Sequence, residues 1–182
     1  MNRIPFFISA IALTLVYSCG ESAPANNKTV TQDAPEPIDR PAFSADSAYT
    51  YIQKQVDFGP RVPNTPEHDE CGVWLAQELE KYGAEVIVQK ARARAYDGQL
   101  LELSNIIGQF NPQARSRILL YAHWDTRPFA DKDSTRIDIP IDGANDGGSG
   151  VGVLLEIARQ LSINPANVGV DIIFFDGEDY GK

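Results

Sequence analysis

One histidine and three acidic residues of this sequence have the chemical types that bind a catalytic metal ion. They are His123, Asp146, Glu178 and Asp179. Zinc accepts nitrogen from imidazole and oxygen from carboxylate, and it keeps one position open in catalytic sites. The four residues lie in three separate segments, so they can form one site only if the fold brings these segments to a single crevice.

The adjacent residues Glu178 and Asp179 need not share a role. Successive side chains that leave a strand point in different directions, so one can bind a metal ion while the other carries a proton. Asp125 lies two residues after His123, on the same side of an extended strand. Its carboxylate is therefore expected to orient the imidazole from the side away from the metal ion.

Each of these residues also has an ordinary interpretation. A histidine at the end of a strand is usually a hydrogen-bonded surface or core residue. Asp146 alone could cap a helix, and Glu178 with Asp179 could form a solvated turn. None of these interpretations explains why the polar clusters follow one another at successive strand ends.

The segments between the clusters predict a buried sheet with helices around it. Residues 118–122 and 170–175 are continuous apolar runs, which are typical of strands buried on both faces. Between them, Gly147–Gly150 leads into apolar residues at helical spacing over 153–161. A strand, a helix and a second strand form a crossover unit, typical of parallel strands. The predicted fold is α/β, a three-layer α/β/α sandwich with a central mixed, largely parallel sheet. Ligands bind such sheets at the carboxyl ends of the strands, where the clusters lie.

Two helices and two strands are predicted ahead of this unit. Ser44 is the N-cap of the first predicted helix, and Thr65 is the N-cap of the second. Residues 86–88 and 101–110 show strand-like apolar patterning. His68, near the start of the second helix, is expected on a charged and solvated helix face.

The first 19 residues predict a secretion signal that ends in a lipid-modified cysteine. Arg3 precedes an apolar run over residues 4–16. This run is shorter than the roughly 20 residues of a transmembrane helix, and an uncleaved membrane anchor is the alternative interpretation. The ending Val16–Cys19 resembles a bacterial lipoprotein box, so Cys19 is predicted to carry the lipid. The predicted location is the bacterial cell envelope, lipid-anchored and periplasmic or at the outer membrane.

Residues 20–42 and 43–182 differ in composition. The first segment is rich in small and polar residues and predicts a flexible tether. The second has the apolar patterning of a globular domain, with one thiol, Cys71, that is expected to be buried. The net charge of -9 excludes a nucleic-acid surface, because phosphates are bound by clustered lysine and arginine.

Several segments together resemble the zinc aminopeptidase family that includes glutaminyl cyclases. These segments are Gly59–Pro63, His123–Thr126, Gly143–Val151 with Leu155–Arg159, and Phe174–Asp179. The resemblance covers nearly everything from residue 43 to the end. It implies that Asp146 is the central metal ligand, Glu178 the general acid/base and Asp179 a second ligand. Many members have glutamate at the position of Asp179, so this sequence has the shorter carboxylate. His123 is a ligand only in members that bind two zinc ions.

The longer stretches His123–Pro128 with Ala130, Asp131 and Asp133, and Glu178–Gly181, are similar to lipoprotein glutaminyl cyclases of bacteria. This similarity implies cyclisation of the N-terminal glutamine of peptides or proteins to pyroglutamate, with one zinc ion and release of ammonia. The first alternative is an aminopeptidase with two zinc ions. The second alternative is a non-catalytic lipoprotein that keeps the enzyme fold as a binding module.

The resemblance also implies residues that this sequence does not supply. The family's last ligand is a histidine far along the chain, whereas only His68 and His123 occur here. That ligand, a further catalytic aspartate and most of the specificity pocket are expected beyond Lys182. This polypeptide alone is therefore expected to be an incompletely folded N-terminal portion that binds zinc poorly and is inactive.

Overall fold

The computed structural model describes residues 41–180. The predicted signal, Cys19 and the tether up to residue 40 therefore lie outside the described residues. The described part contains, in chain order, α1 (Ala45–Phe58), α2 (Pro66–Lys81), β1 (Glu85–Arg94), β2 (Leu100–Phe110), β3 (Arg117–His123), α3 (Gly148–Ile163) and β4 (Gly169–Phe175). No helix within residues 41–180 has the length and apolar character needed to cross a membrane.

The helix starts follow the local signals predicted from the sequence. The Ser44 hydroxyl accepts the backbone N–H of Ser47 at 3.1 Å, and the Thr65 hydroxyl accepts that of His68 at 3.3 Å. Such side-chain acceptors satisfy N–H groups that have no partner inside the helix. Gly59 ends α1 with a φ of 103°, a conformation that favours glycine. Both predicted N-caps are therefore confirmed.

The four strands form one mixed sheet in the order β1-β2-β4-β3. Strand β2 pairs antiparallel with both β1 and β4, whereas β3 and β4 are parallel and are joined by the crossover helix α3. The predicted mixed α/β fold is confirmed. The parallel pair is one of three pairings in the described sheet, because the β1–β2 hairpin joins β4 in the antiparallel direction.

All three helices contribute to one apolar core on one face of the sheet. Their buried side chains form a single cluster with Ile106, Ile172 and Phe174 of the sheet. The free thiol of Cys71 lies in this cluster and is fully buried, as predicted. The second helical layer of the predicted sandwich does not occur among residues 41–180.

The prediction that residues 118–122 form a strand buried on both faces is wrong for the described residues. Leu119 and Tyr121 of β3 are 52% and 66% exposed. They point away from the helix layer, on the sheet face where the Tyr121 ring contacts Phe175 at 5.7 Å. Strand β3 is also an edge strand, so a continuous apolar run here does not indicate burial on both sides.

Candidate active site

The parallel pairing of β3 and β4 brings two of the polar clusters together. His123 at the end of β3 lies opposite Phe175 at the end of β4. The next residue, Trp124, donates its backbone N–H to the Phe175 carbonyl at 3.0 Å. Segments far apart in sequence therefore leave the sheet side by side, as the crossover prediction requires.

The buried carboxylate of Asp125 connects the loops after the two strands. It has no exposed surface and accepts the backbone N–H of Glu178 at 3.2 Å and that of Asp179 at 3.0 Å. It also lies 3.5 Å from Nδ1 of His123. This distance is long for a hydrogen bond, so the contact with the imidazole is mainly electrostatic. The backbone contacts of Asp125 were not predicted from the sequence, because they depend on the strand pairing.

The neighbours Glu178 and Asp179 lie in different environments. The side chain of Glu178 is 65% exposed, with Oε2 at 3.8 Å from Nε2 of His123. The side chain of Asp179 is only 2% exposed. The turn that separates them from β4 contains Gly177, at a φ of 78°. One carboxylate is thus accessible to a reactant while the other is enclosed.

Asp146 reaches the same place from the loop before α3. Its Oδ1 lies 3.1 Å from Nε2 of His123, and the backbone nitrogen of Gly147 lies 3.3 Å from the same ring atom. The N-cap of α3 is Gly147 rather than Asp146, and no side chain of the described residues caps this helix. A Cβ atom at Gly147 would lie 2.3 Å from the His123 carbonyl oxygen. Glycine is therefore required for the loop to approach β3 this closely.

The imidazole of His123 lies among three carboxylates. Its pKa is raised to about 9, chiefly by Asp125 and also by the charges of Glu178 and Asp146, which outweigh the opposing effect of burial. The surrounding carboxylates therefore favour the protonated form of the ring. Binding a metal ion through this ring would require loss of that proton.

Asp179 has one satisfied and one unsatisfied oxygen. Arg127 donates to Oδ1 from Nε at 2.8 Å and from Nη2 at 2.7 Å. Oδ2 is buried and has no hydrogen-bond partner among residues 41–180. Burial raises the pKa of Asp179, with further increases from the charges of Asp146 and Asp125, against the lowering effect of Arg127.

The donor set is compatible with zinc. Within residues 41–180, no group of three or more histidine, cysteine, aspartate or glutamate side chains is arranged to hold a metal ion alone. However, the buried and unpaired Oδ2 of Asp179 calls for a partner, since buried polar atoms are rarely left without one. Asp146 offers a second, exposed carboxylate nearby. Carboxylate oxygen and imidazole nitrogen are zinc donors, so these residues fit part of a zinc site.

Arg61 is a functional candidate that the sequence marked only as part of the segment Gly59–Pro63. It is fully buried and donates to three carbonyl oxygens that flank the site, those of Trp124 at 3.1 Å, Asp142 at 2.8 Å and Gly143 at 2.9 Å. Burial lowers its pKa. Arg61 therefore joins the segment after β3 to the loop that leads to Asp146. The sequence feature that could have indicated this role is an arginine that lies between two prolines and has no polar neighbours.

The prediction that His68 lies on a solvated helix face is wrong. The residue is 1% exposed, and its ring stacks on Trp124 with 4.2 Å between ring centroids. Nε2 lies 2.9 Å from both carboxylate oxygens of Asp176, which also accepts the Ser104 N–H at 2.6 Å. The first turn of α2 faces the sheet edge, so this histidine supports the loop that carries Glu178.

A cavity of about 570 Å³ opens beside Asp146. It is formed largely by the loop between residues 127 and 142, and its lining includes Arg127, Asp131, Arg136 and Ile139. Charged and apolar side chains are mixed in this wall. The cavity therefore places space for a ligand directly beside the carboxylate cluster.

Comparisons with known proteins relate the chain to a family of peptidases. Residues 105–182 match the model of Peptidase family M28. The chain is 33% identical over 149 residues to the alkaline phosphatase isozyme conversion protein of Escherichia coli, covering 75% of this chain and 43% of that protein. It is 33% identical over 86 residues to the glutaminyl-peptide cyclotransferase of Bos taurus, covering 42% of this chain and 23% of that protein. Over residues 105–182, the chain is thus similar to the M28 peptidase family.

Among solved structures, the chain is similar to bacterial glutaminyl cyclases. It is 56% identical to the cyclase of Tannerella forsythia, with a TM-score of 0.77 and coverage of 78% of this chain and 50% of that one. It is 57% identical to the cyclase of Bacteroides thetaiotaomicron bound to N-acetylhistamine, with a TM-score of 0.78 and coverage of 79% of this chain and 50% of that one. It is also 57% identical to a Zn-dependent exopeptidase of Parabacteroides distasonis, with a TM-score of 0.76 and coverage of 78% of this chain and 49% of that one. The chain thus spans about half the length of these solved structures.

Proposed function

We propose that the protein cyclises the N-terminal glutamine of peptides or proteins to pyroglutamate and releases ammonia, in a zinc-dependent reaction. The observation that carries this proposal is the arrangement of Glu178 and Asp179. One buried carboxylate, Asp125, holds the backbone of both, yet Glu178 is accessible and Asp179 is enclosed. The high identity to bacterial glutaminyl cyclases supports the same reaction.

Asp146 and Asp179 would hold the zinc ion, which would supply a Lewis acid for the side-chain amide of the glutamine. Catalytic zinc sites usually take three protein ligands. Residues 1–182 by themselves are therefore expected to bind zinc weakly and to be inactive. A single ion is proposed for the cyclase.

Glu178 would act as the proton carrier. The α-amino nitrogen of the substrate attacks the side-chain amide carbon, and a carbon–nitrogen bond closes the ring. Glu178 takes the proton from the attacking amine and transfers it to the amide nitrogen, whose bond to carbon breaks as ammonia leaves. Proton transfer by a positioned carboxylate typically contributes 10²- to 10⁴-fold, that is about 3 to 5 kcal/mol, to such a reaction.

A specific contact favours the aminopeptidase as the second candidate. Nε2 of His123 lies 3.1 Å from Asp146, close enough for both residues to hold a second zinc ion. In that reaction Glu178 would take a proton from the water that attacks the first peptide bond. The two candidates use the same residues, so the product decides between them.

The test is incubation of the full-length protein with a glutamine-initiated peptide, followed by mass spectrometry. Loss of ammonia with all residues retained supports the cyclase, and release of the first amino acid supports the aminopeptidase. Glu178→Gln should reduce the rate at least about 10²-fold. Glu102→Gln is the matched control, because Glu102 is exposed and pairs with Arg92 on the hairpin. A protein that binds the peptide without changing it would instead be the binding lipoprotein.

We further propose that lipid on Cys19 anchors the protein in the bacterial cell envelope. The support is the sequence pattern of residues 1–19. The test is phase partitioning of the protein made in a bacterium, in which the wild type should enter the detergent phase and Cys19→Ser should not. Equal partitioning of the two proteins into the aqueous phase would contradict the anchor.

A further inference from the structure

We propose that Arg127 is a positioning residue that determines which oxygen of Asp179 meets the metal ion. The inference rests on the zinc site of the proposed function. It assigns Oδ1 of Asp179 to Arg127 and leaves Oδ2 for the ion. Arg127 therefore acts on the metal ion through Asp179.

The geometry of the pair is unusual for arginine and a carboxylate. Such pairs commonly use two N–H groups and both carboxylate oxygens. Here Nε and Nη2 both donate to Oδ1, at 2.8 and 2.7 Å. Within the part of the chain that the structure describes, Oδ2 is buried without a hydrogen-bond partner, on a side chain that is 2% exposed. The guanidinium thus saturates one oxygen and leaves the other available.

The rest of Asp179 is fixed as well. Its backbone N–H is bound by the buried carboxylate of Asp125 at 3.0 Å. The main chain is held from one side and Oδ1 from another, so rotation of the carboxylate is restricted. A ligand atom held in place before the metal ion arrives loses less freedom on binding, which strengthens binding.

Arg127 also has a second contact that could explain its presence without any effect on the metal. Its Nη1 donates to Asp131 at 3.0 Å, in the loop that lines the 570 Å³ cavity. A purely structural arginine would brace this loop and leave zinc affinity unchanged. The two explanations therefore differ in a quantity that can be measured without enzyme turnover.

The test is zinc affinity of the full-length protein, measured by competition with a chromophoric chelator. Arg127→Lys is the decisive variant, because lysine keeps the positive charge but lacks the planar pair of donors. Loss of a residue that orients a metal ligand typically weakens metal binding 10- to 100-fold. We expect Arg127→Lys to weaken zinc binding by about 10-fold or more. Urea unfolding in excess chelator measures the stability of the metal-free form in parallel.

Arg136→Lys is the matched control. Arg136 lines the same cavity, but its guanidinium pairs with Asp133 at 3.6 Å, and its side chain is 70% exposed. The zinc affinity of the Arg136→Lys variant should equal that of the wild type within about twofold, since Arg136 contacts no proposed metal ligand. Unchanged zinc affinity in Arg127→Lys, with or without a lower unfolding midpoint, would overturn the inference. A wild-type protein that binds no zinc would refute the proposed function and this inference with it.

Discussion

The carboxylate of Asp125 accepts the backbone N–H of Asp179 across 3.0 Å, and it does so without any exposed surface. The two residues are 54 positions apart in the chain. Their contact joins the segment after β3 to the loop after β4, so the position of the loop depends on one buried charge. The neighbouring N–H of Glu178 shares the same acceptor.

Replacing Asp125 by asparagine should disturb both residues of this loop. Asparagine has nearly the same shape but offers one acceptor oxygen and an NH₂ donor, which would face one of the two N–H groups. We expect kcat/KM toward a glutamine-initiated peptide to fall by at least about 10-fold, as is typical for residues that orient metal ligands. Asp97→Asn is the control, because Asp97 also accepts a backbone N–H, that of Gln99, but in an exposed turn. Equal activity of the two variants would contradict this role.

Arg61→Lys should destabilise the protein strongly. The guanidinium satisfies the carbonyls of Trp124, Asp142 and Gly143, and the compact lysine head cannot reach all three. Each buried group left unsatisfied costs about 1 to 3 kcal/mol, so we expect a loss of about 2 to 4 kcal/mol in the free energy of unfolding. Urea denaturation measures this loss in the free energy of unfolding. Arg92→Lys, at an exposed ion pair, should change this free energy by less than about 0.5 kcal/mol.

Gly147→Ala should separate the loop before α3 from the end of β3. The added Cβ would lie 2.3 Å from the His123 carbonyl oxygen and 2.9 Å from its ring, so one of the two segments must move. We expect zinc affinity of the full-length protein to fall by about 10-fold or more, because Asp146 moves with the loop. In Gly98→Ala the added Cβ meets nothing within 4 Å, although the φ of 88° is strained. That variant should lose stability without losing zinc affinity.

The buried carboxylate of Glu156 should make the free energy of unfolding depend on pH in the acid range. Its carboxylate accepts two bonds from Arg159, at 2.7 and 2.8 Å, and the Ser44 N–H at 2.9 Å. Arg159 first, then Gln160 and the Ser44 N–H, lower the pKa of Glu156 from 4.5 to about 2, against the raising effect of burial. The folded pKa is below the unfolded one, so this stabilisation is complete above pH 4.5 and is lost as the pH falls toward 2.

Glu156→Gln should therefore be less stable than the wild type at pH 7, by about 1.5 to 3 kcal/mol, the range for hydrogen bonds to a charged group. The difference should shrink as the pH falls from 4.5 toward 2, since the wild type then loses the same charge. Urea unfolding at pH 7, 4 and 3 measures this trend. Asp138→Asn, in an exposed loop, is the control. A difference that stays constant with pH would show that the charge of Glu156 is not responsible.

The sequence alone determined the local features of this protein. Ser44 and Thr65 begin helices because their hydroxyls bond N–H groups three residues onward, and such contacts depend on neighbouring residues only. The apolar runs predicted β3 and β4, and the crossover between them predicted that His123 and Glu178 would meet at one edge. The lipid anchor on Cys19 stays a prediction.

Tertiary structure decided what each polar residue touches. His68 was expected in solvent, yet it contacts Asp176 from 108 positions away, because the packing of α2 turns this residue toward the sheet edge. The buried contacts of Asp125 and Arg61 also join distant segments. These contacts depend on the order and register of four strands and on the placement of helices above them. No periodicity within one segment encodes such distances, so they became visible only in the folded chain.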